Sequence, residues 1–396
     1  VVQGKVVGSQ EARAFGRNKQ NLMPAVLESF ARLATQCDII VIEGAGSPAE
    51  TNLRAGDIAN MGFAQAAQVP VILMGDIDRG GVIAQIVGTQ AVLDATDNAM
   101  MKGLCVNKFR GDRSLFDEGR DDIVARTGWP SFGVLPWFEH AARLPAEDVM
   151  DLPARARSGG AGLVIAVPQL PRIANFDDLD PLAAEPSVDL RMITNGTAIP
   201  ADTDLILLVG SKSTIADLAD LRTAGWDIDI AAHIRRGGHV MGLCGGYQML
   251  GKTISDPTGI EGPAGTVEGL GHLDVHTVLE PVKHLSLRTG FHIASGTSLH
   301  GYEIHMGQTS GPACATPWFT IDDRPEGAIS PDGRVMGAYI HGIFANDAFR
   351  RAFLARLGAE SQTHYAATIE QTLDALAAHL RTHLDLDRIY ALSADV

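Results

Sequence analysis

Cysteine is scarce: four residues in 396, at positions 37, 105, 244 and 314. No two form a C-x-x-C pair, so neither a zinc site nor a disulfide framework is expected. A reducing cytosol is the expected setting. Positive charge is also short. The 32 Lys and Arg against 47 Asp and Glu leave a formal charge of −15. With no polybasic cluster, the expected partners include no nucleic acid, which needs a basic face. No apolar run approaches the roughly 18 residues that span a bilayer, so no membrane is expected either. The longest runs, such as 69–74 and 205–209, have the length of buried strands. The opening Val1-Val2-Gln3-Gly4 resembles neither a signal peptide nor a transit peptide. No internal repeat is visible.

What is present is a rhythm of short apolar runs alternating with helical patterns, the signature of an α/β protein with a mostly parallel sheet. A helix is expected over 25–36, then strands over 38–43, 69–75, 104–109 and 132–135. Apolar rhythm fades after 139 and ends in Arg157-Ser158-Gly159-Gly160-Ala161-Gly162. This gives a first domain over 1–150, a linker over 151–162 and a second domain over 163–396. Strands are expected in the second domain over 163–167, 188–193, 205–209 and 239–243. Residues 264–345 have β character, and the tail from 347 reads as two helices.

Two motifs overlap in Gly242-Leu243-Cys244-Gly245-Gly246-Tyr247-Gln248-Met249-Leu250-Gly251-Lys252-Thr253. The first is a nucleophile elbow: a strand ends on Cys244, two glycines permit the sharp turn, and a helix follows. The N–H after the nucleophile and those of the first helical turn face a developing oxyanion. The second is a formal G-x-x-x-x-G-K-[ST] match from Gly246 to Thr253. A phosphate cradle needs its Lys-Thr at a helix N-terminus. Here a helical segment separates the glycines, and Gly251 reads as the end of that helix. The P-loop match is therefore read as coincidence. A thiol nucleophile wants a base. His341 ends the apolar run from Val335 and is the favoured candidate, with His300 and His305 as competitors.

The first domain carries three fragments at expected strand ends, where open α/β sheets bind ligands. They are Glu43-Gly44, the Asp76-Ile77-Asp78-Arg79-Gly80-Gly81 loop, and Asn107-Lys108-Phe109-Arg110-Gly111-Asp112, which is similar to a purine-reading N-K-x-D element. A carboxylate such as Glu43 suits Mg²⁺.

Together these segments resemble the cobyric acid synthase family. The resemblance is carried by Glu43-Gly44-Ala45-Gly46-Ser47-Pro48-Ala49-Glu50 with Asn52, by Asp57-Ile58-Ala59-Asn60-Met61-Gly62, by the Asp76 and Asn107 loops, by Gly245–Gly251, and by Gly301-Tyr302-Glu303-Ile304-His305-Met306-Gly307. It covers essentially the whole chain. It implies an N-terminal dethiobiotin-synthetase-like, P-loop-type domain and a C-terminal class I glutamine amidotransferase domain of flavodoxin-like fold. It also implies Cys244 as nucleophile and His341 as base, with Gly210 and Gly245 as oxyanion glycines. Glu43 would be a metal ligand, and Asn107 and Lys108 would contact nucleotide. Ser47, Asn52, Asp57 and Asp78 would lie near the corrinoid. ATP and Mg²⁺ would drive amidation of the b, d, e and g carboxylates of adenosylcobyrinic acid a,c-diamide, with glutamine supplying ammonia. Two departures are visible. His341-Gly342-Ile343 lacks the glutamate that many triad glutaminases carry two residues after the histidine. The P-loop strand, loop and helix that open the family are missing, so a truncated chain without a phosphate cradle is the expectation. An inactive corrinoid-binding remnant or a stand-alone glutaminase are the alternatives.

Overall fold

The computed structural model describes residues 2–5, 7–8, 15–16, 18–145 and 162–393. The expected linker over 151–162 lies outside the described residues except for Gly162. The chain forms two compact units, one of residues 1–139 with 374–396, the other of residues 140–373. No helix among the described residues is long and apolar enough to cross a membrane.

In the first unit, helices α1 (Met23–Ala34) and α2 (Met61–Ala67) precede strand β1 (Val71–Asp76). Helix α3 (Val82–Val92), strand β2 (Met101–Phe109), helix α4 (Asp117–Thr127) and strand β3 (Ser131–Pro136) follow. The three strands are parallel, in the order β1-β2-β3. Strand β2 is central and reads Leu104, Cys105 and Val106, all buried, as a strand covered on both faces should. Val82 and Ile86 of α3, Ile123 of α4 and Met61 of α2 pack with it.

One expected strand is absent. Residues 39–44 have no strand structure, and Ile39, Ile42 and Val41 are 55, 43 and 92% exposed. An apolar run of this length becomes a strand only where a neighbour pairs with it and a layer covers it. The sheet ends at β1 on that side, so neither condition is met among the described residues.

In the second unit, strands β4 (Leu163–Pro168), β5 (Val188–Ile193) and β6 (Leu205–Leu208) lead to helices α5 (Thr214–Thr223) and α6 (Trp226–Arg235). Strand β7 (His239–Leu243), helix α7 (Gly245–Leu250) and strand β8 (Thr253–Asp256) come next. A long ribbon, β9 (His276–His292) and β10 (Ser298–Ser310), is followed by β11 (Val335–Ala338), β12 (Ile340–His341), α8 (Asp347–Arg356) and α9 (Tyr365–His383). The main sheet runs β5-β4-β6-β7-β11, all parallel, with Ala328–Ile329 antiparallel at the edge. In chain order that is 2-1-3-4-5, the flavodoxin-like winding. The second sheet carries β8-β9-β10-β12. Strands β4, β6 and β7 are buried along nearly their whole length, as a sheet covered on both faces requires.

The tail departs from expectation. Its two helices form, but the division between units falls within α9, and the residues from Asp374 onward group with the first unit. There His379 Nε2 lies 3.0 Å from the Pro136 carbonyl, and the Asp385 N–H donates to Phe132 O. An amphipathic pattern specifies that a helix buries one face, not which core receives it.

Arg350 of α8 is fully buried and closes the turn after His341. Its guanidinium donates to Glu185 (2.6 Å), to the Phe344 carbonyl (2.6 Å), and to Asp347 and the Thr363 carbonyl. Glu185 is equally buried. Arg350→Met should therefore cost about 3–5 kcal/mol by leaving a buried carboxylate without its cation. Calorimetry of the second unit's unfolding checks this, and an unchanged midpoint would contradict it.

Candidate active site

Cys244 sits between β7 and α7 with φ 51° and ψ −109°. A non-glycine residue in that region costs about 1–3 kcal/mol and is held there only by its surroundings. The neighbouring glycines are those surroundings. A β-carbon on Gly246 would fall 2.1 Å from the Leu208 carbonyl oxygen, and one on Gly242 2.5 Å from the Gly246 backbone. Only glycine lets the helix turn this closely over the strand. Gly246→Ala should therefore lower the second unit's unfolding temperature by several degrees and abolish any chemistry at Cys244; retention of both would show that the turn tolerates a side chain.

Strand β11 lies beside β7 in parallel, with Ala338 opposite Leu243, and the Cys244 N–H donates to the Ala338 carbonyl at 2.8 Å. Both strands thus end at the same edge. The chain then crosses from the main sheet into β12, where His341 pairs with Tyr302 of β10. His341 is fully buried, and its Nε2 has no hydrogen-bond partner among the described residues. The other ring nitrogen, Nδ1, lies 2.6 Å from Asp178 Oδ2, while Asp178 Oδ1 accepts the Gly342 N–H at 2.6 Å. Burial alone favours the neutral imidazole. The Asp178 carboxylate, and after it Cys244, outweigh that and raise His341 to about 10. Asp178 thus occupies the orienting role that no residue just after His341 fills.

Of the two competing histidines, one is engaged elsewhere and one faces solvent. His305 stacks on Tyr339 at 3.8 Å, and its Nε2 lies 2.7 Å from Glu303. His300 is exposed. The thiol of Cys244 lies 3.5 Å from the Ile304 carbonyl.

The two expected oxyanion glycines are brought together. A β-carbon on Gly245 would lie 3.0 Å from the Ser211 backbone nitrogen, and one on Gly210 3.4 Å from His341 Cε1. Gly210 itself pairs with Ala174 in a short ribbon. Gln248 braces the elbow from below. Its amide accepts from Thr214 at the start of α5 and donates to the Met306 carbonyl and the Tyr339 hydroxyl. The Gly246–Thr253 match is not a phosphate cradle: α7 fills its middle, Gly251 ends that helix, Lys252 pairs with Asp274, and Thr253 begins β8.

In the first unit, Asp78 and Lys108 share one cluster at the carboxyl ends of β1 and β2. Lys108 Nζ pairs with Asp76 at 2.9 Å and Arg110 with Asp78 at 2.6 Å. Arg110 also lies 3.6 Å over the Trp137 ring. The Asn107 side chain accepts the Lys108 N–H, and Lys108 itself has φ 63°. Asp57 is a backbone cap for α2, accepting the N–H groups of Ala59, Asn60 and Gly62. Burial raises its carboxyl and those three donors more than reverse the effect. Ser47 accepts the Ala49 N–H, and Asn52 lies in the exposed turn Thr51–Leu53. Among the described residues, no hydrogen bond or ion pair joins Glu43, Ser47 or Asn52 to the strand-end cluster. Glu43 is exposed, and no three His, Cys, Asp or Glu converge as a metal site among the described residues. The residues described here do not by themselves build a Mg²⁺ site.

Residues 164–349 match the CobB/CobQ-like glutamine amidotransferase domain, and residues 9–143 match an AAA domain. The cobyric acid synthase of Ruegeria sp. is 59% identical over 396 residues, covering 100% of this chain and 82% of that protein. That of Paracoccus denitrificans is 59% identical over 393 residues, covering 99% and 81%. That of Methylocella silvestris is 56% identical over 396 residues, covering 100% and 82%. An N-terminal P-loop-type domain and a C-terminal glutamine amidotransferase domain place this chain in the cobyric acid synthase family, as an amide ligase.

Proposed function

We propose that this chain transfers ammonia from glutamine to corrinoid carboxylates in an ATP-driven reaction, with adenosylcobyrinic acid a,c-diamide as acceptor and the b, d, e and g side chains as targets. The observation that carries the glutaminase half is the pairing of a strained, glycine-flanked Cys244 with the buried His341–Asp178 couple at the adjacent strand end. Cys244 gives its thiol proton to His341 Nε2 as its sulfur attacks the carboxamide carbon of glutamine, and the oxyanion is met by the N–H groups of Gly245 and Gly210. His341 delivers a proton to the departing nitrogen through Nε2, and ammonia leaves. Water then attacks the thioester carbon, His341 takes its proton, and glutamate departs from the sulfur.

In the synthetase half, ATP phosphorylates a corrinoid carboxylate to an acyl phosphate and ADP. Ammonia then displaces phosphate to give the amide. Lys108 and Asn107 at the strand ends support a nucleotide site there. Ser47, Asn52, Asp57 and Asp78 are read as the corrinoid-facing residues of that unit.

The test supplies the chain with glutamine, ATP, Mg²⁺ and adenosylcobyrinic acid a,c-diamide, and follows glutamate by coupled assay and corrinoid products by mass spectrometry. Stepwise amides that require both ATP and glutamine are expected. Glutamate without any amide would reduce the function to a stand-alone glutaminase. Corrinoid binding with no turnover would point to a binding remnant.

A further inference from the structure

We propose that Asp177, with the amide oxygen of Asn175 beside it, binds the α-ammonium group of the glutamine substrate; the inference rests on the glutaminase reading of Cys244 and His341. Glutamine arrives as a zwitterion, and a partly desolvated ammonium needs a carboxylate that is not already neutralised. The carboxylates around the elbow divide cleanly on this point. Asp178 spends both oxygens on His341 and Gly342. Glu303 spends both on His305 and Arg288, which outweigh its burial and hold it down to about 2. Asp217 accepts from Arg172 and from the Ser211 hydroxyl. The Glu326 carboxyl is shielded from solvent and pushed up to about 8 by burial, which favours its neutral form.

Asp177 differs from all of these. It is half-buried, its one side-chain partner is the Tyr302 hydroxyl at 3.1 Å, and no Lys, Arg or His pairs with it among the described residues. Burial, then the neighbouring Asp178 charge, raise its carboxyl above the usual range. That is the condition of a carboxylate lacking a counter-cation, and an arriving ammonium relieves it.

The position fits. Tyr302 lies flat on His341, with ring centroids 5.2 Å apart and an 18° interplanar angle. Asn175 Nδ2 donates to the Tyr302 hydroxyl at 3.0 Å, and Asn175 Oδ1 has no hydrogen-bond partner among the described residues. That oxygen is 3.5 Å from where a β-carbon on Gly210 would stand, and His341 Cε1 is 3.4 Å from the same point. Asn175, Gly210 and His341 therefore converge, with Asp177 joined to them through Tyr302. Asn175 holds φ 53°, an αL conformation, and precedes the short helical turn Phe176–Leu179 that carries Asp177.

The rival account makes Asp177 only a brace for Tyr302. Substrate comparison separates the two. Ammonia release from glutamine and from glutaramic acid, which lacks the α-amino group, is measured for the wild-type chain and for Asp177→Asn, Asp177→Glu and Tyr302→Phe. The wild type should prefer glutamine by about a hundredfold or more in kcat/KM. In Asp177→Asn that preference should collapse to within about fivefold, through a rise in KM for glutamine, with glutaramic acid little affected. Asp177→Glu should restore most of the preference. Tyr302→Phe should slow both substrates alike and keep the preference. Equal losses on both substrates in Asp177→Asn, or an intact preference, would overturn the proposal. Absence of glutamine hydrolysis in the wild type would remove the glutaminase reading and this one with it.

Discussion

Cys244→Ala is expected to lose glutamine hydrolysis by at least about 10⁴-fold, while amidation from added ammonium salt stays within about twofold of wild type. The size of the first effect follows from the role assigned to the sulfur. Without a nucleophile no thioester forms, and only the oxyanion donors and His341 remain; knocking out a nucleophile in a comparable triad removes about 10⁶ in kcat. The second effect follows from the division of labour between the units. In the proposed function the synthetase unit takes ammonia rather than glutamine, so its chemistry would not depend on the thiol. The fold gives little reason for collateral damage. Alanine takes the same positive φ as cysteine at Cys244, and the tight contacts in the turn belong to Gly242 and Gly246. The assay pairs glutamate production with amide formation under glutamine and under ammonium chloride. Continued glutamine-dependent amidation by the variant would remove Cys244 from the nucleophile's role. Loss of the ammonia-dependent reaction as well would instead argue that the thiol acts in the amidation itself.

The elbow was legible because all its parts are contiguous. Strand, nucleophile, small residues and helix occupy 239–250, and the backbone geometry is decided within that span. The alternation of apolar runs likewise showed an α/β unit with a mostly parallel sheet, since buried parallel strands are read from local composition. The flavodoxin-like winding followed only from the family resemblance. Asp178 was not legible. It lies 163 residues before His341, in a short helical turn after β4, and meets the imidazole only through strand order in the main sheet. No spacing along the chain announces such a pair. Asp177 is hidden for the same reason: its place beside Tyr302 depends on β10 meeting β12. The run at 38–43 failed in the opposite direction. Its composition is that of a buried strand, yet pairing is a property of neighbours, and the side chains of Ile39, Val41 and Ile42 stand exposed. The tail shows a third limit, because periodicity identified its helices while the core that receives residues from Asp374 onward is a matter of topology.

Asp178→Asn is expected to cut glutamine hydrolysis by about 10³–10⁴-fold with little change in KM, by analogy with the effect of the same exchange in a serine-protease triad. The exchange is nearly isosteric. The amide oxygen of the new side chain would still accept the Gly342 N–H, so the turn after β12 should keep its shape. What changes is the group facing Nδ1. A carboxylate accepts a proton from Nδ1 and leaves Nε2 open as a base. An amide N–H₂ in its place donates to Nδ1, which forces the neutral ring to carry its proton on Nε2, the nitrogen that must accept one. The pH profile provides an independent reading. His341 is raised to about 10, chiefly through Asp178 against the opposing effect of burial. A group raised in this way stabilises the fold fully below its unfolded value near 6.5, and that contribution is lost as pH rises through about 10. Any rate that needs the protonated imidazole should fall over the same alkaline limb. Removing the Asp178 charge leaves burial unopposed by it, so the limb in Asp178→Asn should move toward acid, to near or below the ordinary imidazole value. Rate–pH profiles of the two proteins, taken with thermal unfolding across the same range, test both statements. An unmoved alkaline limb, or a rate within about tenfold of wild type, would reduce Asp178 to a structural partner of Gly342.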